Sequence, residues 1–267
     1  GSLELPQVVA GDALGLTLFV GGLHFYKKDD YPRALRLFRS ASEKLRTDSR
    51  SAADLLHVMG LTEYLAGRTD KAADYLSRCE SLATGDSDTW WGCRLMQVDA
   101  HLLASHLPRA QVLAEEALRR SRASERRGAE ANTLKSLGDL ALRVSELKEA
   151  RGRYEEALPL FRALGDRLGE ANTLSGLGDL ADVAGHYDDA DKWYQQARGS
   201  FELIGDRYSA ARTDWRQGLS LARRGNVRRA REVLTRAHRT LIELGDGNGA
   251  AVVLNALGSL NAEGPPP

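Results

Sequence analysis

The sequence repeats three small residues at a fixed spacing, and this repeat constrains the fold more than any other feature. Stepping along the chain by 38 or 40 residues reaches one position in each repeat: Gly22, Gly60, Val98, Gly138, Gly178, Gly218 and Gly258. Twelve residues after each of the first six positions lies an alanine: Ala34, Ala72, Ala110, Ala150, Ala190 and Ala230. Seven residues further on lies a second small residue: Ala41, Cys79, Ala117, Ala157, Ala197 and Ala237. The chain is therefore built from six copies of one structural unit, followed by part of a seventh.

Close packing between helices explains why these positions hold small residues. A glycine inside a helix costs about 0.5–1 kcal/mol relative to alanine, so its recurrence requires a compensating contact. Two small residues seven apart lie on one face of a helix, where they can meet the glycine of a neighbouring helix. Apolar residues recur with a period of 3.6, and no segment alternates as a strand does. The sequence predicts an all-α fold in which helix A and helix B of each unit form a hairpin.

Turn residues mark the ends of these helices. Gly185 and Gly225 indicate turns inside hairpins, while Gly165-Asp166 and Gly205-Asp206 pair a glycine that ends one helix with an aspartate that caps the next. We predict hairpins at about residues 12–49, 50–87, 88–125, 126–166, 167–206 and 207–246, then a terminal A helix at 247–262. Residues 1–11 are predicted to be a cloning scar and linker, and residues 263–267 a linker or tail.

The small and aromatic positions of these hairpins resemble a known repeat. In the first unit they are Gly22, Phe25, Tyr31, Ala34, Phe38 and Ala41, and in the fifth they are Gly178, Gly185, Tyr187, Ala190, Tyr194 and Ala197. Both sets resemble the signature of the tetratricopeptide repeat. The 40-residue unit is similar to that of kinesin light chains, Leu-Gly-Asn-type polarity adaptors and bacterial STAND-type signalling ATPases. The resemblance covers about Leu14 to Asn261 and implies a right-handed α-solenoid of six helical hairpins with a seventh, terminal A helix.

Two units depart from the pattern. In the third, Arg94 and Gln97 stand where leucines are expected, and in the sixth Asp214 and Gln217 do so. We expect these two units to pack differently from the others.

Charge and composition exclude several classes of function. Lys plus Arg and Asp plus Glu both total 37, so no net field favours nucleic acid. No apolar run approaches the roughly 20 residues that span a bilayer, and we expect no membrane partner. Cys79 and Cys93 give neither a disulfide framework nor a metal-site spacing; we interpret them as small core residues of a protein in a reducing, cytoplasmic compartment.

Catalytic and metal motifs are also missing from the sequence. The six histidines form no HExxH motif, and no phosphate-binding glycine loop or GxSxG elbow is present. We therefore predict a non-catalytic protein without metal or cofactor.

Function must then reside in a surface, and the family resemblance indicates which one. It implies that helix A lines the concave groove, with the residues six before, three before, one after and four after the glycine pointing inward. This projection gives an apolar and aromatic N-terminal region, a polar middle and a cationic end. The predicted peptide-binding residues are Phe19, Leu23, Tyr26, His57, Tyr64, Asp99, Asn132, Lys135, Asp139, Asn172, Ser175, Asp179, Asp182, Arg212, Trp215 and Arg216.

Two rows of polar residues in this groove each allow two interpretations. Asp99, Asp139 and Asp179 share one phase, and could meet basic or donor groups of an extended peptide or could simply be solvated. Asn132 and Asn172 also share a phase, and could hold a peptide backbone, as in the asparagine ladders of the adaptors named above, or could cap their helices.

The sequence thus predicts an interaction module that binds a peptide segment of a partner protein within a larger signalling protein. The excess of arginine (30) over lysine (7) favours a GC-rich bacterial source. The alternative is a regulatory domain that senses a ligand or pheromone and controls an attached ATPase or transcriptional output. Because both terminal helices are apolar nearly all round, either the parent protein continues beyond them or they self-associate.

Overall fold

Thirteen α-helices and no strand make up the residues that the computed structural model describes, which are 13–28, 30–44, 49–85 and 87–262. The helices are α1 (Ala13–Tyr26), α2 (Tyr31–Lys44), α3 (Ser49–Leu65), α4 (Thr69–Leu82), α5 (Asp88–Leu103), α6 (Leu107–Ala123), α7 (Arg127–Arg143), α8 (Leu147–Leu164), α9 (Arg167–Val183), α10 (Tyr187–Leu203), α11 (Arg207–Arg223), α12 (Val227–Glu243) and α13 (Gly247–Ala262). Within the described part of the chain, no helix is long and apolar enough to cross a membrane.

The helices fall two to each predicted hairpin, with α13 in the place of the terminal A helix. The predicted linker or tail segments 1–11 and 263–267 lie outside the described residues. The chain divides into two compact units, an N-terminal unit (Gly1–Ala129) and a C-terminal unit (Glu130–Pro267). The repeat continues through this boundary without a change of phase, so the sequence pattern gives no sign of the division.

The predicted close packing between helices A and B is confirmed. A methyl group placed on the recurring glycine would lie 2.5–2.7 Å from a large side chain sixteen residues later in every complete hairpin that has the glycine. These pairs are Gly22–Phe38, Gly60–Leu76, Gly138–Tyr154, Gly178–Tyr194 and Gly218–Leu234. The small residues flanking each of these side chains are fully buried. The glycine is therefore a socket, and the large residue of helix B fills it.

Glycine and aspartate act at the helix ends as predicted. Gly165 ends α8 with a positive φ of 66°, a conformation that glycine adopts without steric cost. The carboxylate of the adjacent Asp166 accepts a hydrogen bond of 2.9 Å from the backbone N–H of Gly169 and so caps α9.

The two cysteines of the N-terminal unit correct one expectation. Cys79 on α4 and Cys93 on α5 are buried small residues as predicted, but they are also joined in a disulfide. The spacing of two cysteines carried no disulfide signal, because only the fold brings helix B of one hairpin beside helix A of the next.

Buried polar clusters explain the departures in the third and sixth hairpins. In the N-terminal unit, Arg94 forms ion pairs with Glu80 and with Glu116, and the Gln97 amide donates to Glu80 at 2.6 Å. Glu80 and Glu116 lie on the two B helices that flank α5. These hairpins are still helical pairs, but ionic contacts replace leucine packing between them.

The C-terminal unit repeats this arrangement with the charges reversed. Asp214, whose side chain is 4% exposed, accepts two hydrogen bonds from Arg236, at 2.7 and 2.6 Å. Gln217 donates to Asp191 at 2.6 Å. Each polar residue on helix A therefore has a matched partner on a neighbouring helix B, which satisfies the requirement that buried charges be paired.

Candidate functional site

The A helices of the C-terminal unit carry most of the predicted groove residues. Helix α11 contacts both α9 and α13, so equivalent positions on these helices lie side by side. We use the name A face for this set: Asn132, Lys135, Asp139, Asn172, Ser175, Asp179, Asp182, Arg212, Trp215 and Arg216. Its carboxylates determine what it can bind.

Asp179 is held by two donors from different helices. The Tyr194 hydroxyl on α10 donates to Oδ1 at 2.8 Å, and Nη1 of Arg216 on α11 donates to Oδ2 at 2.8 Å. The same Nη1 lies 3.1 Å from the hydroxyl oxygen of Ser175. Both oxygens of this carboxylate are thus used within the fold, and Arg216 bridges two adjacent hairpins.

Asp139 has an equivalent arrangement within its own hairpin. The Tyr154 hydroxyl donates to Oδ1 at 2.7 Å, and Lys135 donates to Oδ2 at 2.8 Å from one turn earlier in α7. The ring of Tyr154 also fits between α7 and α9, because methyl groups on Gly138 or Gly176 would each come within 3 Å of it. The aspartate therefore fixes the tyrosine that fills the socket.

Asp182 forms an ion pair with Arg223, again from α9 to α11. Its side chain is 11% exposed, and its second oxygen is buried without a hydrogen-bond partner among the described residues. The three aspartates of the A face are thus each matched by a cation of the same unit. The side chains of Asp139 and Asp179 are 32% and 30% exposed, so they keep some contact with solvent while both of their oxygens also bond to groups of the fold. Whether the row meets a peptide stays a prediction.

Burial shifts the ionisation of these groups. The pKa of Asp179 is raised, mainly because burial disfavours the charged form, while Arg216 and Tyr194 oppose that rise. Burial and the adjacent carboxylates, Asp139 for Tyr154 and Asp179 for Tyr194, raise the pKa values of both tyrosines. Both hydroxyls therefore remain protonated donors across the physiological range.

Two A-face side chains keep their hydrogen-bonding groups available. Asn172 is exposed and has no hydrogen-bond partner among the described residues, and Arg212 is exposed with no carboxylate partner there. The Arg212 guanidinium lies 5.9 Å from the centroid of the exposed Tyr208 ring. Asn172 on α9 and Arg212 on α11 occupy the same repeat position on helices that are in contact. They lie about one turn before Ser175 and Arg216, which contact each other. These two side chains of the A face are therefore neighbours.

Trp215 is half-buried against the core formed by α11, α12 and α13. Its indole N–H is buried and has no hydrogen-bond acceptor among the described residues. Its ring thus packs partly against the fold, and the remainder is exposed as part of the A face.

In the N-terminal unit, the structure corrects the prediction for one residue. Phe19 is only 1% exposed, and its ring centroid lies 5.6 Å from that of Phe38. It belongs to the core of the first hairpin, where it packs beside Phe38, the side chain that fills the Gly22 socket, and so it has no surface left for a partner. Leu23 and Tyr26 pack partly against the same core.

The remaining predicted residues of this unit are partly buried. His57 lies against Gly92, since a methyl group there would be 3.0 Å from its ring, and burial lowers its pKa, while Asp54 opposes the shift. Tyr64 packs against the cluster that contains both cysteines, and Asp99 is half-buried. No group of three or more metal-ligating side chains occurs among the described residues of the chain.

The bonds between tyrosine and aspartate were not predicted from the sequence. Tyr194 was assigned to the repeat signature and Asp139 and Asp179 to the groove, with no connection between them. The signal was present in the identical separation of fifteen residues within both hairpins.

Comparison with known proteins identifies the repeat. Residues 130–202 match the family model described as tetratricopeptide repeat. They are tetratricopeptide repeats. No curated protein sequence matches the chain, so the remaining evidence on the tetratricopeptide fold comes from solved structures.

Three solved structures illustrate that likeness. A Rap protein complexed with competence and sporulation factor has a TM-score of 0.67 at 16% identity, over 96% of this chain and 77% of that one. NprR in complex with its cognate peptide NprX has a TM-score of 0.68 at 17% identity, over 92% and 72%. A STAND protein with a tetratricopeptide repeat sensor from Pyrococcus horikoshii has a TM-score of 0.65 at 16% identity, over 94% and 39%. At such identities the likeness shows the fold, which is the tetratricopeptide-type helical solenoid predicted from the repeat.

Proposed function

We propose that the C-terminal unit binds a peptide segment of a partner along its A face, with Arg212 holding a carboxylate of the peptide and Asn172 its backbone. The observation that carries this proposal is the contrast within the face. Its aspartates are paired internally, whereas Arg212 and Asn172, adjacent in register, keep free donors.

Charge determines which peptide fits. Lys135, Arg216 and Arg223 compensate the three aspartates, so the cation of Arg212 is the uncompensated charge of the face. A guanidinium presents donors in a planar fork that matches a carboxylate. An acidic side chain or a C-terminal carboxylate therefore fits this end better than the basic peptide that an open row of aspartates would select.

Asn172 complements that contact. Its carboxamide offers both a donor and an acceptor, so it can pair with a peptide group without reading the side chain. A peptide whose carboxylate pairs with Arg212 and whose backbone bonds to Asn172 is fixed in direction and register. The half-buried apolar surface around Trp215 then selects among peptide side chains.

Structural relatives support a peptide as the occupant. The Rap protein named above is in complex with competence and sporulation factor, and NprR is in complex with its cognate peptide NprX. Those ligands belong to those proteins, and the shared fold makes the same class of ligand reasonable here. From the composition of the chain we also propose that the module is non-catalytic and acts within a larger bacterial protein in the cytoplasm, without direct contact to nucleic acid. In that reducing compartment the bond between Cys79 and Cys93 would require an oxidising condition to form.

The same comparisons favour a second, more specific role. Because relatives with bound peptides and a STAND sensor share the fold, the module could act as the sensor that couples a peptide signal to an attached ATPase or transcriptional output. Reading the coding sequence on both sides of the chain tests this role, since an adjoining nucleotide-binding or DNA-binding domain is required.

Peptide selection tests the binding proposal. A library of random peptides with free C-termini is selected against the chain, and the affinities of the selected peptides are measured by isothermal titration calorimetry for Arg212→Ala, Asn172→Ala and a control, Arg231→Ala. Arg231 is an exposed arginine on α12, outside the A face. Loss of a charge-assisted contact at an exposed site corresponds to about 1 kcal/mol, or roughly five- to tenfold in affinity.

The expected result is weaker binding to Arg212→Ala and Asn172→Ala, unchanged binding to Arg231→Ala, and loss of affinity when the peptide carboxylate is amidated. Selected peptides that are basic, or that bind all three variants as well as the wild type, would contradict the proposal.

A further inference from the structure

Two exposed apolar side chains extend the A face toward the amino-terminal ends of α9 and α11. Leu168 lies four residues before Asn172 and is 48% exposed, and Tyr208 lies four residues before Arg212 and is 46% exposed. Residues four apart lie on the same face of a helix, about one turn from each other. Asn172 and Arg212 therefore each have an exposed apolar side chain one turn away on the same helix.

The other A helices from α3 onward carry no apolar side chain at this repeat position. The equivalent residues are Arg50 on α3, Asp88 on α5, Gly128 on α7 and Asn248 on α13. Single exposed apolar side chains are common on protein surfaces. These two, however, occur on the helices whose polar groups at the next A-face position, Asn172 and Arg212, remain available for a ligand.

The Arg212 side chain extends toward Tyr208. The Cα–Cβ bonds of a helix tilt toward its amino terminus, so a long side chain lies over the preceding turn. The Arg212 guanidinium accordingly lies 5.9 Å from the centroid of the Tyr208 ring, within the range of a cation–π contact. A carboxylate that pairs with Arg212 is therefore held beside this exposed ring.

Acidic side chains near this end of the two helices already have partners. Glu170 on α9 forms an ion pair with Arg162 at 2.8 Å, and Glu243 on α12 forms one with Arg207, which begins α11. Neither carboxylate is therefore available to neutralise Arg212, and a carboxylate from a ligand can take that place.

The spacing of the charge and the ring fits a single residue of a peptide. With a rise of 1.5 Å per residue, Arg212 and Tyr208 lie about 6 Å apart along α11. In the last residue of a peptide, the α-carboxylate and the side chain leave the same carbon atom, and a leucine or phenylalanine side chain reaches a comparable distance. An aspartate or glutamate within the peptide carries its charge at the tip of the side chain and offers no large apolar group beside it.

We propose that Arg212 and Tyr208 bind the last residue of the peptide, with its free carboxylate on Arg212 and its large apolar side chain packed on the Tyr208 ring. Leu168, at the same repeat position on the contacting helix α9, adds a second apolar contact, and Asn172 bonds to a preceding peptide group. This inference rests on the peptide site proposed above and names the class of ligand, which is a chain that ends in leucine, isoleucine, methionine or phenylalanine.

The library of peptides with free C-termini described above supplies the probe. We expect the selected peptides to end in a large apolar residue. One of them is synthesised again with glycine as its last residue and, separately, with an amidated C-terminus, and affinities are measured by isothermal titration calorimetry. Glycine should weaken binding about five- to tenfold, because the apolar side chain is no longer buried. Amidation should weaken it by a similar factor, because the charge on Arg212 loses its partner.

Substitutions in the chain locate the contact. Tyr208→Ala and Leu168→Ala should each weaken the peptide with the apolar last residue about three- to tenfold and leave the glycine-ended peptide unchanged, because the lost contact requires the terminal side chain. Tyr208→Phe keeps the ring and should bind as the wild type does. Ile242→Ala is the matched control, since Ile242 is a 55% exposed apolar residue on α12, outside the A face. Circular dichroism checks that all four variants keep their helicity.

Three results would overturn this inference while leaving the peptide site in place, provided that Arg212→Ala still weakens binding. They are selected peptides without a preference at the last residue, full affinity after amidation, and equal effects of Tyr208→Ala on the apolar-ended and glycine-ended peptides or no effect on either. Binding that does not respond to Arg212→Ala, or a selection that yields no peptide, would overturn the peptide site together with this inference.

Discussion

Replacing Gly178 by alanine tests the packing rule on which the whole repeat depends. In an unpacked helix this change stabilises, because alanine is favoured over glycine by about 1 kcal/mol. At Gly178 the new methyl group would lie 2.7 Å from two ring carbons of Tyr194. That ring cannot move away easily, because it is 1% exposed and its hydroxyl is hydrogen-bonded to Asp179 at 2.8 Å.

The balance of these effects gives the expected magnitude. Overpacking a core position costs about 1–3 kcal/mol, and weakening the tyrosine hydrogen bond to a carboxylate adds about 1 kcal/mol. After subtracting the gain in helix propensity, we expect Gly178→Ala to destabilise the chain by about 1–3 kcal/mol. Gly199→Ala, which meets nothing within 4 Å, should instead stabilise it by up to about 1 kcal/mol.

Urea unfolding followed by circular dichroism compares the two variants with the wild type. Because repeat proteins can depart from two-state behaviour, the comparison uses the shift in midpoint at an unchanged slope. The midpoint should fall for Gly178→Ala and rise slightly for Gly199→Ala. A Gly178→Ala protein as stable as the wild type would refute the socket argument.

Three further predictions concern a buried ion pair, the disulfide and a buried histidine. Asp214→Leu restores the leucine that most other hairpins have at this position. In urea titrations it should change the free energy of unfolding less than Arg236→Ala does. The reason is that Arg236→Ala leaves the Asp214 carboxylate, which is 4% exposed, with one fewer partner. The disulfide between Cys79 and Cys93 closes a loop with a sequence separation of 14. Its reduction should lower the free energy of unfolding by about 3 kcal/mol, the value expected for a loop of this length. Equal thermal midpoints with and without reductant would contradict this prediction. Because burial lowers the pKa of His57 below its ordinary value of 6.5, the folded state binds its proton less readily than the unfolded state. The contribution of His57 to stability is therefore complete above pH 6.5 and is lost as pH falls through the folded-state pKa. His57→Gln should flatten the pH dependence of the urea midpoint in that range, and an unchanged slope would show that burial of this histidine has no energetic consequence.

The sequence was sufficient to predict the fold because the repeat encodes it redundantly. Most hairpins repeat the same contact between the socket glycine of helix A and a large residue of helix B that lies between two small residues. A single exception such as Val98 therefore does not obscure the pattern. Helix ends were equally predictable, since residues such as Gly165 and Asp166 act within a few positions along the chain, Gly165 through its positive φ and Asp166 through a bond from Gly169 N–H to its carboxylate.

Side-chain partners were less predictable, because they depend on contacts between hairpins. Asp179 looked like a free groove residue until the fold placed Arg216 of the next A helix beside it. Phe19 had the right phase for the groove but sits in the core. The disulfide likewise depends on which faces of α4 and α5 meet.

Photo-crosslinking gives the most direct test of the central claim, that the C-terminal unit binds peptides along its A face. A peptide selected against the chain is synthesised with a benzophenone group near its carboxyl end, irradiated with the protein, and the attachment sites are found by mass spectrometry. The account predicts attachment to α9 and α11 near Asn172 and Arg212, and its loss in the Arg212→Ala protein. Attachment confined to the B helices α10 and α12, or attachment unaffected by Arg212→Ala, would contradict it.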